Sequence, residues 1–163
     1  MAEPTGLAEQ VAWLVDRALI SDLLVEFART LDAREWEAHV ELYTPDGVFE
    51  IPGATRFVGH EELMRTASPR GLGQYAGTWH LSANHAITID GDEARVRSYL
   101  IGVHLLGGGP ADHADGGGWY DITLHRTDAG WRFATVRITE IWQGSTPLPH
   151  VAQDSRADSP SAV

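Results

Sequence analysis

Along the first part of the chain, apolar side chains return every three or four residues. Ile20, Leu23, Leu24, Phe27 and Leu31 form one stripe, and Asp16, Arg17, Asp22, Glu26 and Arg29 mostly fill the positions between. That period is the helical one, so the pattern predicts a helix over 8–31. A shorter helix is expected over 35–43, with Trp36, Val40 and Tyr43 on one side. Thr44-Pro45-Asp46-Gly47 reads as a turn, because proline presets one dihedral and glycine accepts the next. Residues 48–51 read as a short strand and 60–67 as a third helix.

From Thr78 onward the period falls to two, which predicts strands over 79–90, 93–105, 119–126 and 131–142. Gly91-Asp92 and Asp128-Ala129-Gly130 supply the hairpin turns. The segment 107–118, with its two triple-glycine runs, reads as a loop. Residues 145–163 are rich in Ser, Pro, Ala and Asp and read as a loose tail on a single domain of 1–144. Helices followed by a run of strands give an α+β class. The expected architecture is a curved antiparallel sheet, a cone-like barrel, wrapped around the N-terminal helices and enclosing a pocket.

Composition narrows the chemistry. The 163 residues suffice for one domain with a full core. Twelve basic against 23 acidic residues leave a formal charge of −11, which repels phosphate backbones and disfavours nucleic acid as a partner. There is no cysteine, so disulfides, thiolate metal sites and cysteine nucleophiles are excluded. All twelve cations are arginine. Schiff-base mechanisms and the P-loop, which need lysine, are therefore excluded as well. Acid and base work falls to His, Asp, Glu or Tyr. No stretch approaches the roughly 20 apolar residues of a membrane span. The opening Met1-Ala2-Glu3-Pro4 lacks the cationic and apolar regions of a signal peptide, so a cytoplasmic location is expected.

Asp32 directly follows Leu31 of the apolar stripe, at the mouth of the core. His80 stands near the start of the first long strand, in phase with Ser82 and Asn84. An aspartate at a helix end is ordinarily solvated, and a strand histidine ordinarily bonds a carbonyl; the other reading pairs them as acid and base. His104 shares a strand face with Ala94, Val96 and Ser98, small residues that suit a pocket wall. Tyr43 and Tyr120 are either phenolic donors to a substrate or core aromatics. Asn84 is a candidate for a substrate carbonyl or for backbone, and Trp142 a candidate wall for a ring-shaped substrate. His80 and His85, five apart on a strand, are expected on opposite faces, which argues against a metal site. His60-Glu61-Glu62-Leu63-Met64 lacks the second histidine of a zinc-protease motif. No cofactor is expected.

The segments Phe27-Ala28-Arg29-Thr30-Leu31-Asp32, Leu42-Tyr43-Thr44-Pro45-Asp46-Gly47, His80-Leu81-Ser82-Ala83-Asn84-His85 and Gly91-Asp92-Glu93-Ala94 occur in this order. Trp119-Tyr120-Asp121 and Asp128-Ala129-Gly130-Trp131-Arg132-Phe133 follow them. Across 8–144 the chain thus resembles the SnoaL-like branch of the nuclear-transport-factor-2-like superfamily. It looks most similar to the lyase members: scytalone dehydratase, bile-acid 7α-dehydratase and hexachlorocyclohexane dehydrochlorinase. Those enzymes pair an aspartate at the end of the first helix with a histidine on the first long strand. The matching positions here are Asp32 and His80.

What the resemblance implies is a cofactor-independent, dehydratase-like lyase acting on a small cyclic polyketide-, terpenoid- or steroid-like substrate. Tyr43, Asn84, His104, Tyr120, Arg137 and Trp142 are its expected substrate contacts. The chain departs from the pattern twice. The tyrosine that bile-acid 7α-dehydratase carries five residues before its aspartate is Phe27. The arginine of the last strand has Arg137 as its nearest candidate, with Val136 at another alignment. Isomerases, polyketide cyclases and non-catalytic ligand-binding modules resemble the chain in fold and stand as alternatives. The similar lyases are trimers and the isomerases dimers. With Arg95, Arg97, Tyr99, Ile101 and Val103 expected on the outer sheet face, a homo-oligomer is expected, a trimer before a dimer.

Overall fold

In the computed structural model, which describes residues 6–67, 71–144 and 146, the helical stripe forms α1 (Leu7–Asp32). Ile20, Leu24, Phe27 and Leu31 are buried along it. Each such side chain removed from water contributes about 1.5–3 kcal/mol. The helix closes in a Schellman turn: the Arg34 amide donates to the Leu31 carbonyl at 3.2 Å and the Glu35 amide to Thr30 at 2.9 Å. Such a turn needs a left-handed residue, ordinarily glycine, yet Arg34 fills it at φ 62°. Its guanidinium donates to the carbonyls of Leu72 and Tyr75 at 2.7 and 2.8 Å, which holds the strained residue in place. These bonds fix the helix end, and Asp32 with it.

There follow α2 (Trp36–Val40), β1 (Tyr43–Ile51), β2 (Thr55–Val58) and α3 (Gly59–Leu63), then β3 (Gly77–Asp90), β4 (Glu93–Leu105), β5 (His113–Thr127) and β6 (Gly130–Gln143). The six strands form one curved sheet in the order β2-β1-β6-β5-β4-β3. The sheet is open, not closed into a barrel, and one neighbouring pair, β1 with β6, runs parallel. The α+β class with helices packed on a curved sheet is as the periodicity predicts. Inward side chains Ala94, Val96, Tyr120, Ile122, Leu124, Phe133 and Val136 form the core with α1. Arg126 anchors the far end: it donates twice to Asp16 of α1, at 2.7 and 2.8 Å, and lies 4.3 Å over the Trp131 ring.

Four local expectations are corrected. The second helix stops at Val40, and Tyr43 opens β1. The expected turn at 44–47 is instead a bulge within β1, where pairing to β6 jumps from Tyr43↔Phe133 to Val48↔Thr135. The third helix tightens to 3-10 geometry over Met64–Ala67. The expected loop over 107–118 ends early, because β5 begins at His113 and takes Gly116–Gly118 into the sheet. β2 pairs with β1 at the sheet edge and had no sequence signal. Of the expected tail only Thr146 is described; the rest of it, and residues 1–5, lie outside the described residues. No helix among the described residues is long and apolar enough to cross a membrane.

The outer face of β3 and β4 carries Trp79, Leu81, Tyr99 and Ile101, exposed by 56%, 39%, 55% and 37%. Arg95 and Arg97 continue the same face. Apolar sheet surface of this kind is ordinarily covered by a partner. We propose that the chain self-associates through this face. Light scattering at micromolar concentration should return a multiple of the 17.8 kDa chain mass, and Ile101→Asp should lower it; a wild-type monomer would refute the expectation.

Candidate active site

Asp32 ends α1 and His80 lies near the start of β3, and α1 packs on β3 so that the two side chains meet. His80 Nδ1 stands 2.7 Å from Asp32 Oδ1. The same carboxylate accepts the His80 backbone amide at 2.8 Å and the Thr78 hydroxyl at 2.9 Å. Burial alone would raise the Asp32 pKa. The imidazole, the amide and the hydroxyl together outweigh it and hold the carboxyl below its ordinary range. An ionised carboxylate only accepts, so Nδ1 carries a hydrogen, and in the neutral imidazole Nε2 is the bare nitrogen.

That bare nitrogen faces a cavity of about 130 Å³ lying between the helices and the sheet. Phe27 and Leu31 of α1, Phe49 and Ile51 of β1, Phe57 of β2, Leu100 of β4 and Ile138 of β6 supply an apolar lining. His80, His104, Tyr120 and His39 are its main polar groups, with Glu140 at one margin. Two glycines make room. Gly102 and Gly116 face each other across β4 and β5, and both border the cavity. A β-carbon at Gly102 would stand 3.2 Å from His104 Cε1, tighter than an ordinary contact, and 3.4 Å from His80 Cδ2, in van der Waals contact.

The expected site residues divide sharply. Asp32 and His80 are brought together, with His80 on the cavity wall and Asp32 behind it. His104 lines the cavity with its ring edge-on to His80 at 5.4 Å. Tyr120 lines it too; burial first, and then the Asp32 charge, raise its pKa, so its hydroxyl remains a donor at neutral pH. Tyr43 does not reach the lining. It is packed against Phe27, His39 and Phe133, and its buried hydroxyl has no partner among the described residues.

Three others stand away from the cavity. Arg137 is on the outer face, 3.5 Å from Glu50, because inward positions of β6 fall to Val136 and Ile138. Trp142 lies over Gly117 on the outer surface, 42% exposed. Asn84 is exposed because β3 bulges there: pairing slips between Ala83 and Ala86, with Asn84 left-handed at φ 56°.

The bulge also reverses the expectation for His85, which turns inward on the side of Ser82. Its Nδ1 lies 2.8 Å from the Ser21 hydroxyl and its Nε2 3.2 Å from Ser82. Ser82 in turn lies 2.6 Å from Ser98, whose hydroxyl donates to the Ala83 carbonyl. His85 thus ties α1 to the sheet. The separation argument against a metal fails at this bulge; among the described residues no cluster of three or more His, Cys, Asp or Glu could hold an ion. His39 was missed altogether. It is 3% exposed, and its one sequence signal was its place beside Val40 on a short apolar helix.

Residues 13–137 match the SnoaL-like domain family. A relative in Mycobacterium tuberculosis, itself an uncharacterised protein, is 27% identical over 133 residues, or 82% of this chain and 90% of its own length. A structure from Novosphingobium aromaticivorans, provisionally assigned as a scytalone dehydratase, superposes with a TM-score of 0.75 at 20% identity. The match covers 83% of this chain and 90% of that one. A type 2 hexachlorocyclohexane dehydrochlorinase superposes at 0.74, also with 20% identity, over 85% and 94% of the two chains. At such identities the two structures share the fold with this chain; the reaction does not follow from it.

His39 makes acid sensitivity testable. Burial lowers its pKa from 6.5 to about 4. The unfolded chain therefore takes up a proton between these values that the folded chain refuses, and the stability contributed by neutral His39 is lost as pH falls from 6.5 toward 4. The loss is about 3 kcal/mol at most. Asp32, held below its ordinary range, acts with the same sign but in a lower window, beneath the 3.8 of a free aspartate. Urea denaturation at pH 7 and at pH 4.5 should show the decline, and His39→Asn, which cannot titrate, should remove much of it. An unchanged decline in the variant would count against a buried neutral His39.

Proposed function

The chain belongs to the SnoaL-like family, and from that premise we propose that it is a cofactor-independent lyase, dehydratase-like, with Asp32 and His80 as its catalytic dyad. One observation carries the reading: the 2.7 Å contact that commits His80 Nδ1 to Asp32 while Nε2 faces an apolar cavity. Neutral imidazole is the strongest base available there, in a chain without lysine or cysteine.

In the proposed step His80 Nε2 takes a proton from a carbon beside an electron-withdrawing group. The released pair forms a double bond to the neighbouring carbon, and the bond from that carbon to a hydroxyl breaks. The departing oxygen takes the proton back from the imidazolium and leaves as water, which returns His80 to its starting state. Asp32 remains ionised throughout, holds the tautomer and stabilises the imidazolium. Tyr120, still protonated, donates to a substrate oxygen, and His104 flanks the reacting edge of His80. The apolar lining suits a small cyclic substrate and strengthens each of these polar contacts by excluding water.

The test is turnover of a panel of small cyclic β-hydroxy ketones, followed by the absorbance of the conjugated product. The rate should rise with pH as the dyad loses its proton, through an apparent pKa that belongs to the pair. His80→Gln and Asp32→Asn should each cost roughly 100- to 10,000-fold in kcat. Turnover largely retained in His80→Gln would point instead to an isomerase driven by Asp32. Binding of these compounds with no turnover of any would point to a ligand-binding module. Either result overturns the lyase reading.

A further inference from the structure

The dyad accounts for one wall of the cavity and leaves His39 unused. Its ring packs 4.9 Å from Phe27 and 5.7 Å from Tyr43, and it shares the lining with His80 and Tyr120. An imidazole in such surroundings is costly unless its polar atoms are engaged. One of them is: His39 Nδ1 lies 3.0 Å from Thr30 Oγ1. The Thr30 hydroxyl faces the Glu26 carbonyl, one helical turn back, at 2.7 Å. With its hydrogen on a helix carbonyl, that of Glu26 or of Phe27, Thr30 Oγ1 accepts and Nδ1 donates. The hydrogen is on Nδ1, and Nε2 holds a lone pair that meets no donor among the described residues.

We propose that His39 is a specificity-determining residue, whose Nε2 lone pair accepts a hydrogen bond from a hydroxyl on the molecule bound in this cavity. The inference rests on the cavity being the ligand site, as in the lyase reading, but it does not require that elimination occur there. It makes the ligand a ring-sized molecule with a hydroxyl directed at α2, in addition to whatever group meets His80. Burial keeps His39 neutral well into the acid range, so the acceptor persists at every working pH. Selection by such a group is strong in principle. A pocket built to bond a hydroxyl rejects the analogue that lacks it, because the buried acceptor is then left unpaired.

Phenol and toluene are suitable probes, being of one size and differing in the donor; a cavity of roughly 150 Å³ is known to hold a single benzene ring. In protein with isotope-labelled histidine, long-range proton–nitrogen NMR should report His39 as the neutral Nδ1–H tautomer from about pH 5 to 8. Phenol, and not toluene, should shift the Nε2 resonance. His39→Asn keeps a donor for Thr30 and removes the acceptor from the cavity. Its phenol affinity should fall about tenfold while toluene affinity changes less than about twofold, the effect of one hydrogen bond. His39→Gln, which places an amide oxygen near the lost nitrogen, should recover part of the preference.

An Nε2–H tautomer in the wild type would overturn the proposal, and that measurement needs no variant to fold. Equal losses for the two probes in His39→Asn would overturn it too, as would failure of phenol to bind or to move the His39 signal. None of these readings depends on turnover, so a failed dyad and a failed His39 are told apart.

Discussion

The contact between Asp32 and His80 organises the molecule around it. Asp32 occupies the last turn of a 26-residue helix, where the helix dipole opposes a negative charge by about 0.3–1 kcal/mol. Partial burial adds to that cost. Three donors offset it, and all come from β3: the His80 imidazole, the His80 amide and the Thr78 hydroxyl. The carboxylate thereby fixes the start of an edge strand against the end of a helix. The left-handed Arg34, bonded to the carbonyls of Leu72 and Tyr75, holds the helix end from the other side. A charge in an unfavourable place, supported on every side, is the arrangement expected where structure has been committed to chemistry.

The space beside that pair comes from omitted side chains. β4 and β5 present Ser98, Leu100, Gly102 and His104 opposite Tyr120, Gly118, Gly116 and Ala114. Small residues at the centre of this double row leave the wall concave, and the large ones stand at its margins. Helix α1 then roofs the hollow with Phe27 and Leu31. A residue larger than glycine at position 102 would crowd the His104 ring and reach van der Waals contact with His80, so this glycine keeps room beside both imidazoles.

The sequence was legible where a simple period held. The stripe from Ile20 to Leu31 set Asp32 at the end of α1, and the alternation along β4 set His104 on its inward face, because one count carried through each whole element; His80 stands ahead of the break in β3. It failed where the count was interrupted. The bulge at Asn84 exchanges the faces of every later residue in β3, which sent Asn84 outward and His85 inward. Gly116–Gly118 read as loop because glycine weakens a strand, yet here it is used for its lack of a side chain. Arg137 and Trp142 depended on the register of the last strand, which pairing across β5 settles and local sequence does not. His39 shows the deeper limit. Its burial is made in part by Phe27, which lies twelve residues earlier on another helix, and by a Tyr43 that leaves the helix to open β1.

His39 and His80 share one cavity and differ only in what stands behind the ring. Behind His80 is a carboxylate, which fixes the tautomer and balances a positive charge, so this imidazole can take a proton and hold it briefly. Behind His39 is a hydroxyl already committed to a carbonyl; it fixes a tautomer in the same way but offers no compensating charge. Burial then lowers the pKa of His39 to about 4 and confines it to its neutral form. One ring can accept a proton and the other only a hydrogen bond. In the proposed roles, one side chain would move a proton and the other recognise a ligand, and the difference between them is the exchange of Asp32 for Thr30, two residues apart at the end of one helix.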